Sequence, residues 1–271
     1  MDNETKNRLS GPRAALSALA RRAPGGLITV AEAADALGVD PRLASSHLNR
    51  LMAAGWLARA RRGLYYVLPL DSANAESTTV EDPWVLAAKL LSPCYIGGWS
   101  AAEHWQLTEQ LFRETFVVTS AGARTRTRNV LGAEFHIVRV PRARVSGFAK
   151  VWRGAVRVPV SDRERTIADA LNSPEWIGGV RHLVEMLTTY RNSEHFSPAK
   201  LLARMAEINK GAAYKRLGFI YEQLFSPDEV IVRHCLERRS AGVIKLDPGV
   251  GVRGKIHKRW GLSANVQVEA S

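Results

Sequence analysis

Residues 27–67 read LITVAEAADALGVDPRLASSHLNRLMAAGWLARARRGLYYV, and this stretch decides the fold. Thr29 followed by Glu32 is a capping box: the Thr hydroxyl and the Glu carboxylate each satisfy an orphan N–H at a helix start. Ala31, Ala34 and Leu37 continue as a small-residue helix of about two turns. Gly38 ends it, because glycine takes the left-handed conformation that closes a helix. Asp40 stands where the next helix needs a cap, and Pro41 suits its first turn. The spacing predicts that this second helix holds Leu43, Leu48 and Leu51 on one side, with His47 near the edge. Arg42, Ser45, Ser46, Asn49 and Arg50 are left on the other side, and Gly55 stops the helix. A helix, a tight Gly turn and a helix bearing polar donors form an arrangement that fits a major groove.

The next residues predict a hairpin. Trp56-Leu57-Ala58-Arg59 and Leu64-Tyr65-Tyr66-Val67 read as two strands joined at Arg61-Arg62-Gly63. A glycine turn flanked by arginines is what a wing needs in order to lie along a phosphate backbone. The expected DNA-binding set is therefore Arg42, Ser45, Ser46 and Asn49 toward the groove, with Arg50, Arg59, Arg61, Arg62 and Tyr65 on the backbone. A winged helix used only for protein contacts is the competing reading. Five arginines gathered at 42, 50, 59, 61 and 62 argue against it.

The whole chain agrees with that direction. Its 271 residues suit about two domains, and 46% hydrophobic with 24% charged residues allows a sizeable core. Lys and Arg number 38 against 26 for Asp and Glu, a net charge of +12 that attracts polyanions, nucleic acid first and an acidic membrane surface second. Cys94 and Cys235 have no neighbours at metal-ligand spacing and are too few for a disulfide framework, so reduced core thiols in a cytoplasm are expected. Met1–Ser10 is polar without the apolar run of a signal peptide, and no stretch approaches the length that spans a bilayer.

The expected fold class is α+β: an N-terminal winged helix-turn-helix over 11–70, a linker over 71–82, and a larger mixed α/β C-terminal domain over 83–271. The linker reading rests on small and hydroxyl residues from Asp71 to Thr79. Phe116-Val117-Val118-Thr119 and Phe135–Val140 read as strands of a mixed sheet. Ile177, Val180, Leu183, Val184 and Leu187 share a helical face, and Val243–Leu246 is a short β-like piece.

Leu48–Leu57 resembles the end of the recognition helix in many bacterial winged-helix repressors. Three further blocks narrow the resemblance. Tyr95-Ile96-Gly97-Gly98-Trp99-Ser100-Ala101-Ala102-Glu103-His104-Trp105, the strand at Phe116–Thr119, and Val158–Leu171 with its Glu164-Arg165-Thr166-Ile167-Ala168-Asp169 core are similar in order and spacing to blocks of the AbiEi-type abortive-infection antitoxins. The likeness covers about Ala14 to Leu171, with Lys215-Arg216-Leu217-Gly218-Phe219 matching a later Arg-Leu-Gly stretch. The resemblance implies an antitoxin of a two-gene module whose toxin is a nucleotidyltransferase-like protein. It also implies repression of its own promoter through inverted repeats in double-stranded DNA, without a stable complex with the toxin.

No catalytic residue, metal site or cofactor is expected. Gly97-Gly98-Trp99-Ser100 looks superficially like the phosphate-holding turn of a nucleotidyltransferase. That chemistry needs a closely spaced carboxylate pair for Mg²⁺, and only isolated Glu103, Glu109 and Glu114 follow. Asp162, Glu164 and Asp169 are better read structurally: Asp162 starts a helix, Glu164 pairs with Arg165 or another arginine, and residues 164 and 169, five apart, do not share a helical face. His104, His136 and His182 sit in apolar-patterned elements. Arg124, Arg126 and Arg128 alternate and would line one side of a strand as additional phosphate contacts. Further basic groups stand at Arg139, Arg142 and Arg144, at Lys150, Arg153 and Arg157, and from Arg253 to Arg259. The alternative function is a DNA-processing enzyme that uses the winged helix to reach its substrate.

Overall fold

The computed structural model describes residues 12–69, 79–122, 126–225 and 229–269. Met1–Ser10, the linker positions from Asp71 to Thr78 and Arg124 lie outside the described residues. In chain order the N-terminal elements are α1 (Pro12–Arg22), β1 (Leu27–Thr29), α2 (Val30–Leu37), α3 (Pro41–Ala53), β2 (Leu57–Arg61) and β3 (Leu64–Val67). There follow α4 (Pro83–Leu90), β4 (Cys94–Ile96), α5 (Gly98–His104), β5 (Thr115–Thr119), β6 (Arg126–Val130), β7 (Ala133–Arg139), β8 (Phe148–Arg153) and β9 (Val156–Ser161). The remainder is α6 (Arg163–Asn172), α7 (Val180–Asn192), α8 (Pro198–Ile208), α9 (Gly211–Leu224), α10 (Glu229–Arg238) and the short strands β10 (Ile244–Lys245), β11 (Lys255–His257) and β12 (Leu262–Ala264). Three sheets run β1-β3-β2, β6-β7-β5-β4-β9-β8 and β10-β12-β11. The chain is α+β, with an N-terminal winged helix-turn-helix and a larger α/β part after it. Among the described residues no helix is long and apolar enough to cross a membrane.

The chain divides into two compact units. One holds the described residues up to Cys94 together with Thr119–Arg139 and Lys150–Val158, and the other holds Tyr95–Val118, Val140–Ala149 and the rest from Pro159.

In the first unit the expected caps are in place. Thr29 Oγ1 accepts from Glu32 N while Glu32 Oε2 accepts from Thr29 N at 2.7 Å, the reciprocal pair of a capping box. Gly38 closes α2 at φ 64°, ψ 37°, where a side chain would be strained. The core beneath gathers Leu16 and Leu19 of α1, Ile28, Ala33, Ala34, Ala44, Leu48, Leu51, Leu57 and Tyr65. Neither α1 nor β1 was among the elements the sequence singled out. The helix α1 supplies two of the core leucines, and β1 pairs antiparallel with β3, Ile28 opposite Tyr65. One expectation fails. Leu43 is 43% exposed, and Ala44 takes its place in the core beside Leu48 and Leu51. At about 100° per residue Leu43 lies far around the helix from Leu48, five positions on, whereas Ala44 is one turn from it.

Also in this unit, α4 is capped by Asp82, and its Lys89 Nζ reaches Glu32 Oε1 and the Leu27 carbonyl, both at 2.9 Å. Burial works against the Glu32 charge, but the Thr29 N–H, Lys89 and the Thr29 hydroxyl outweigh it and hold the carboxyl below its ordinary value. The strands β6 and β7 form an antiparallel hairpin, Arg128 opposite Phe135.

In the second unit, α6 to α9 pack around Ile167, Leu171, Leu183, Leu187, Leu201, Met205, Leu217 and Ile220. Both cysteines are buried free thiols, Cys94 in the first unit and Cys235 in the second, and burial pushes each up to about 12.

Candidate nucleic-acid interface

The recognition helix is built from its N-terminus. Asp40 Oδ1 accepts from Arg42 N at 2.9 Å and Leu43 N at 3.1 Å, which satisfies two of the free donors that open α3. Burying Ala44, Leu48 and Leu51 turns the opposite face outward. Arg42, Ser46, Asn49 and Arg50 are exposed and Ser45 is half-buried at the margin. Arg42, Ser46 and Asn49 are four and seven residues apart and fall within about 60° of one another on the helix. Arg50 leans along the helix to His47 Nδ1 at 3.2 Å. Leu43 joins this exposed surface, and the apolar-face reading of the sequence concealed it.

The wing stands beside the helix. Arg61 and Arg62 are exposed at the end of the β2–β3 hairpin, and Arg61 donates to the Arg62 carbonyl at 3.3 Å. Among the described residues Arg42, Arg61 and Arg62 meet no carboxylate, so their charge faces outward uncompensated. The register shifts between Arg59 and Arg61; Ala60 between them is buried and both arginines are exposed. Arg59 and Tyr65 are direct cross-strand partners, the guanidinium 5.6 Å from the ring centroid. Both reach the recognition helix: Arg59 donates to Asn49 Oδ1 at 3.0 Å and the Tyr65 hydroxyl donates to the same oxygen at 3.4 Å. Tyr65 is only 3% exposed, its ring packed in the core, so it holds Asn49 from beneath instead of standing on the wing surface.

The other basic groups divide. Arg126 opens β6 and Arg128 is half-buried two positions on. Arg153 is paired with Asp82 at 2.7 Å and lies over Trp84, and Arg157 lies over Trp152. Arg259 pairs with Glu222 at 3.0 Å, whereas Arg253, Lys255 and Lys258 are exposed. Lys215 and Arg216 are buried inside the second unit, where Arg216 Nε donates to the Leu246 carbonyl at 2.8 Å and Lys215 Nζ to the Gly242 carbonyl at 2.5 Å. These two cations tie loops together; they are not surface charge.

The residues weighed for catalysis have structural partners. A Cβ on Gly98 would lie 2.7 Å from both the Phe116 ring and the Trp176 carbonyl, so the Gly97–Ser100 turn is filled by packing. Ser100 Oγ accepts from Phe116 N at 2.9 Å. Asp162 caps α6 through Arg165 N at 2.7 Å and also holds Arg204 at 2.6 Å. Among the described residues Glu164 pairs with neither Arg165 nor another arginine, and the Tyr190 hydroxyl donates to it at 2.9 Å. Arg165 turns instead to Asp169, one helical turn on, at 3.0 Å, and Tyr95 donates to the same carboxylate at 2.7 Å. Burial pushes the Asp169 carboxyl up, opposed by Arg165, Tyr95 and Arg144. His182 is bonded through both ring nitrogens, to the Ile177 carbonyl and to Thr108 Oγ1 at 2.6 Å.

No curated protein matches this chain. The crystal structure of the RV2827C protein from Mycobacterium tuberculosis aligns with a TM-score of 0.59 at 17% identity, over 91% of this chain and 88% of that one, so the two share a fold. The blocks at 95–105 and 158–171 lie beyond the reach of the family match, which ends with β3. Residues 15–67 match the family described as transcriptional regulator, AbiEi antitoxin, and the winged helix-turn-helix of this chain is similar to that of those regulators.

Proposed function

We propose that the chain is a sequence-specific DNA-binding transcriptional repressor and the autoregulating antitoxin of a toxin–antitoxin operon, with no catalytic activity of its own. One observation carries the DNA-binding reading: an exposed row of Arg42, Ser46, Asn49 and Arg50 on α3 stands beside the arginines of the wing tip, in a segment that matches antitoxin regulators. Arg42, Ser45, Ser46 and Asn49 enter the major groove, and Arg50, Arg61 and Arg62 take the phosphates. Arg59 and Tyr65 act chiefly by positioning Asn49. Arg124, Arg126 and Arg128 add phosphate contacts. Half-sites are paired as inverted repeats, by a dimer or by cooperative loading, since one small module buries too little surface for high specificity. The toxin is a nucleotidyltransferase-like protein counteracted without a stable complex, as the resemblance of the sequence blocks implies.

The test is a gel shift on the operon's own upstream region. The parent protein is expected to bind one repeat-containing duplex with a steep dependence on salt. Arg42→Ala is expected to lower the preference for that duplex over a scrambled one by about 1–3 kcal/mol, the worth of one bidentate base contact. Equal binding of both duplexes by the parent protein overturns the reading.

A further inference from the structure

Arginine is a hydrogen-bond donor only, so the Asn49 atom that Arg59 meets at 3.0 Å has to be the amide oxygen. The Tyr65 hydroxyl donates to the same atom at 3.4 Å. The wing thus offers Oδ1 two donors, the guanidinium at the shorter distance, and the amide cannot turn over without placing its NH₂ against that guanidinium. Asn49 itself is exposed on the groove side of α3, and its Nδ2 has no acceptor among the described residues. The two clamping residues come from directly opposed positions of β2 and β3, a pair fixed by ladder hydrogen bonds and by the burial of Tyr65 in the core. The clamp is therefore present in the chain without a duplex, its Tyr65 half anchored in the core and its Arg59 half exposed on β2.

We infer that Asn49 is a donor-only reader of DNA: the wing consumes its acceptor, so it selects a base edge that offers acceptors and does not make the bidentate contact to adenine. That contact requires an asparagine oxygen to accept from the adenine N6 amino group while the NH₂ donates to N7. Here only the second half is on offer. Guanine, with acceptors at both N7 and O6, satisfies the free NH₂ best, and cytosine, whose major-groove edge presents an amino donor, is rejected. This inference rests on the DNA-binding reading above. It adds that Arg59 and Tyr65 set base specificity without touching a base.

The experiment is selection from a randomised duplex library by the full-length chain, followed by the same selection with Asn49→Ala, Tyr65→Phe, and Arg59→Met with Tyr65→Phe. Asn49→Ala is expected to flatten preference at one base pair per half-site, which identifies the position Asn49 reads. At that position the parent protein is expected to select guanine over adenine by about tenfold, within the range of one good base contact. Releasing the amide with Arg59→Met and Tyr65→Phe is expected to move selection toward adenine, with Tyr65→Phe alone giving a smaller move. Selection is read as a ratio between bases, so a general weakening of binding leaves the result legible. Adenine selected by the parent, an unchanged ratio in the double variant, or no position flattened by Asn49→Ala each overturns the inference while leaving the repressor reading intact. Parent protein that retains no duplex at any salt concentration removes both.

Discussion

Removing the wing tip's charge, by Arg61→Ala together with Arg62→Ala, has a calculable effect. Both guanidiniums are exposed, and neither meets a carboxylate among the described residues, so each is available to neutralise one phosphate. On B-DNA the logarithm of the binding constant falls with the logarithm of salt by about 0.9 per neutralised phosphate. Two contacts therefore account for about 1.8 of the slope. Raising salt from about 50 to about 200 mM is a fourfold change, over which that part of the slope corresponds to about twelvefold in affinity. The double variant is accordingly expected to bind more weakly at low salt and to lose about twelvefold less affinity across the titration. Its ranking of duplex sequences should stay that of the parent, because phosphate contacts carry no base information. Fluorescence anisotropy with one labelled duplex at four or five salt concentrations measures the slope directly. A slope equal to the parent's would falsify the placement of the wing on the backbone. So would an altered sequence ranking at unchanged slope, which would put the wing in a groove.

Leu43→Ala removes an exposed apolar group from the reading surface and is expected to weaken operator binding only where thymine is present. Replacing thymine by deoxyuridine in the duplex should abolish the difference between parent and variant, and a difference that persists on the uracil duplex refutes a methyl contact. Asp169→Ala takes the close, buried carboxylate from the 1%-exposed Arg165 and leaves it the longer 3.7 Å contact to the more exposed Glu207, and loss of one partner of a buried pair costs about 3–5 kcal/mol. Urea unfolding should show this, and a loss below about 1 kcal/mol contradicts the role given to the pair. Glu32 titrates below its ordinary value, so its contribution is complete above about pH 4.5 and is lost as pH falls through the lower folded value. Melting temperatures of parent and Glu32→Gln protein should differ near pH 6, and the gap should shrink as pH falls from about 4.5 downward. A constant gap across that range counts against the Lys89 and Thr29 contacts.

The residues from Thr29 to Val67 announced their own structure because every signal in them is short-range. A capping box closes over three residues, Asp40 caps the residues next to it, and a glycine ends a helix by its own backbone freedom. The polar side of the recognition helix was legible for the same reason, since helical period alone separates Arg42, Ser46 and Asn49 from Leu48 and Leu51. Leu43 was misplaced because composition drew a leucine into the core, while geometry gave that position to Ala44, whose small side chain lets helices approach. What only the tertiary structure decided lies between residues distant in sequence. Tyr95 meets Asp169 across 74 positions, Lys215 and Arg216 bond carbonyls 26 to 46 residues away, and Arg59 and Tyr65 reach back 10 and 16 residues to fix the Asn49 amide. A side chain's residue type states how many hydrogen bonds it can make. Which partners take them, and so which atoms are left for a ligand, is settled when the strands pair and the core closes around them.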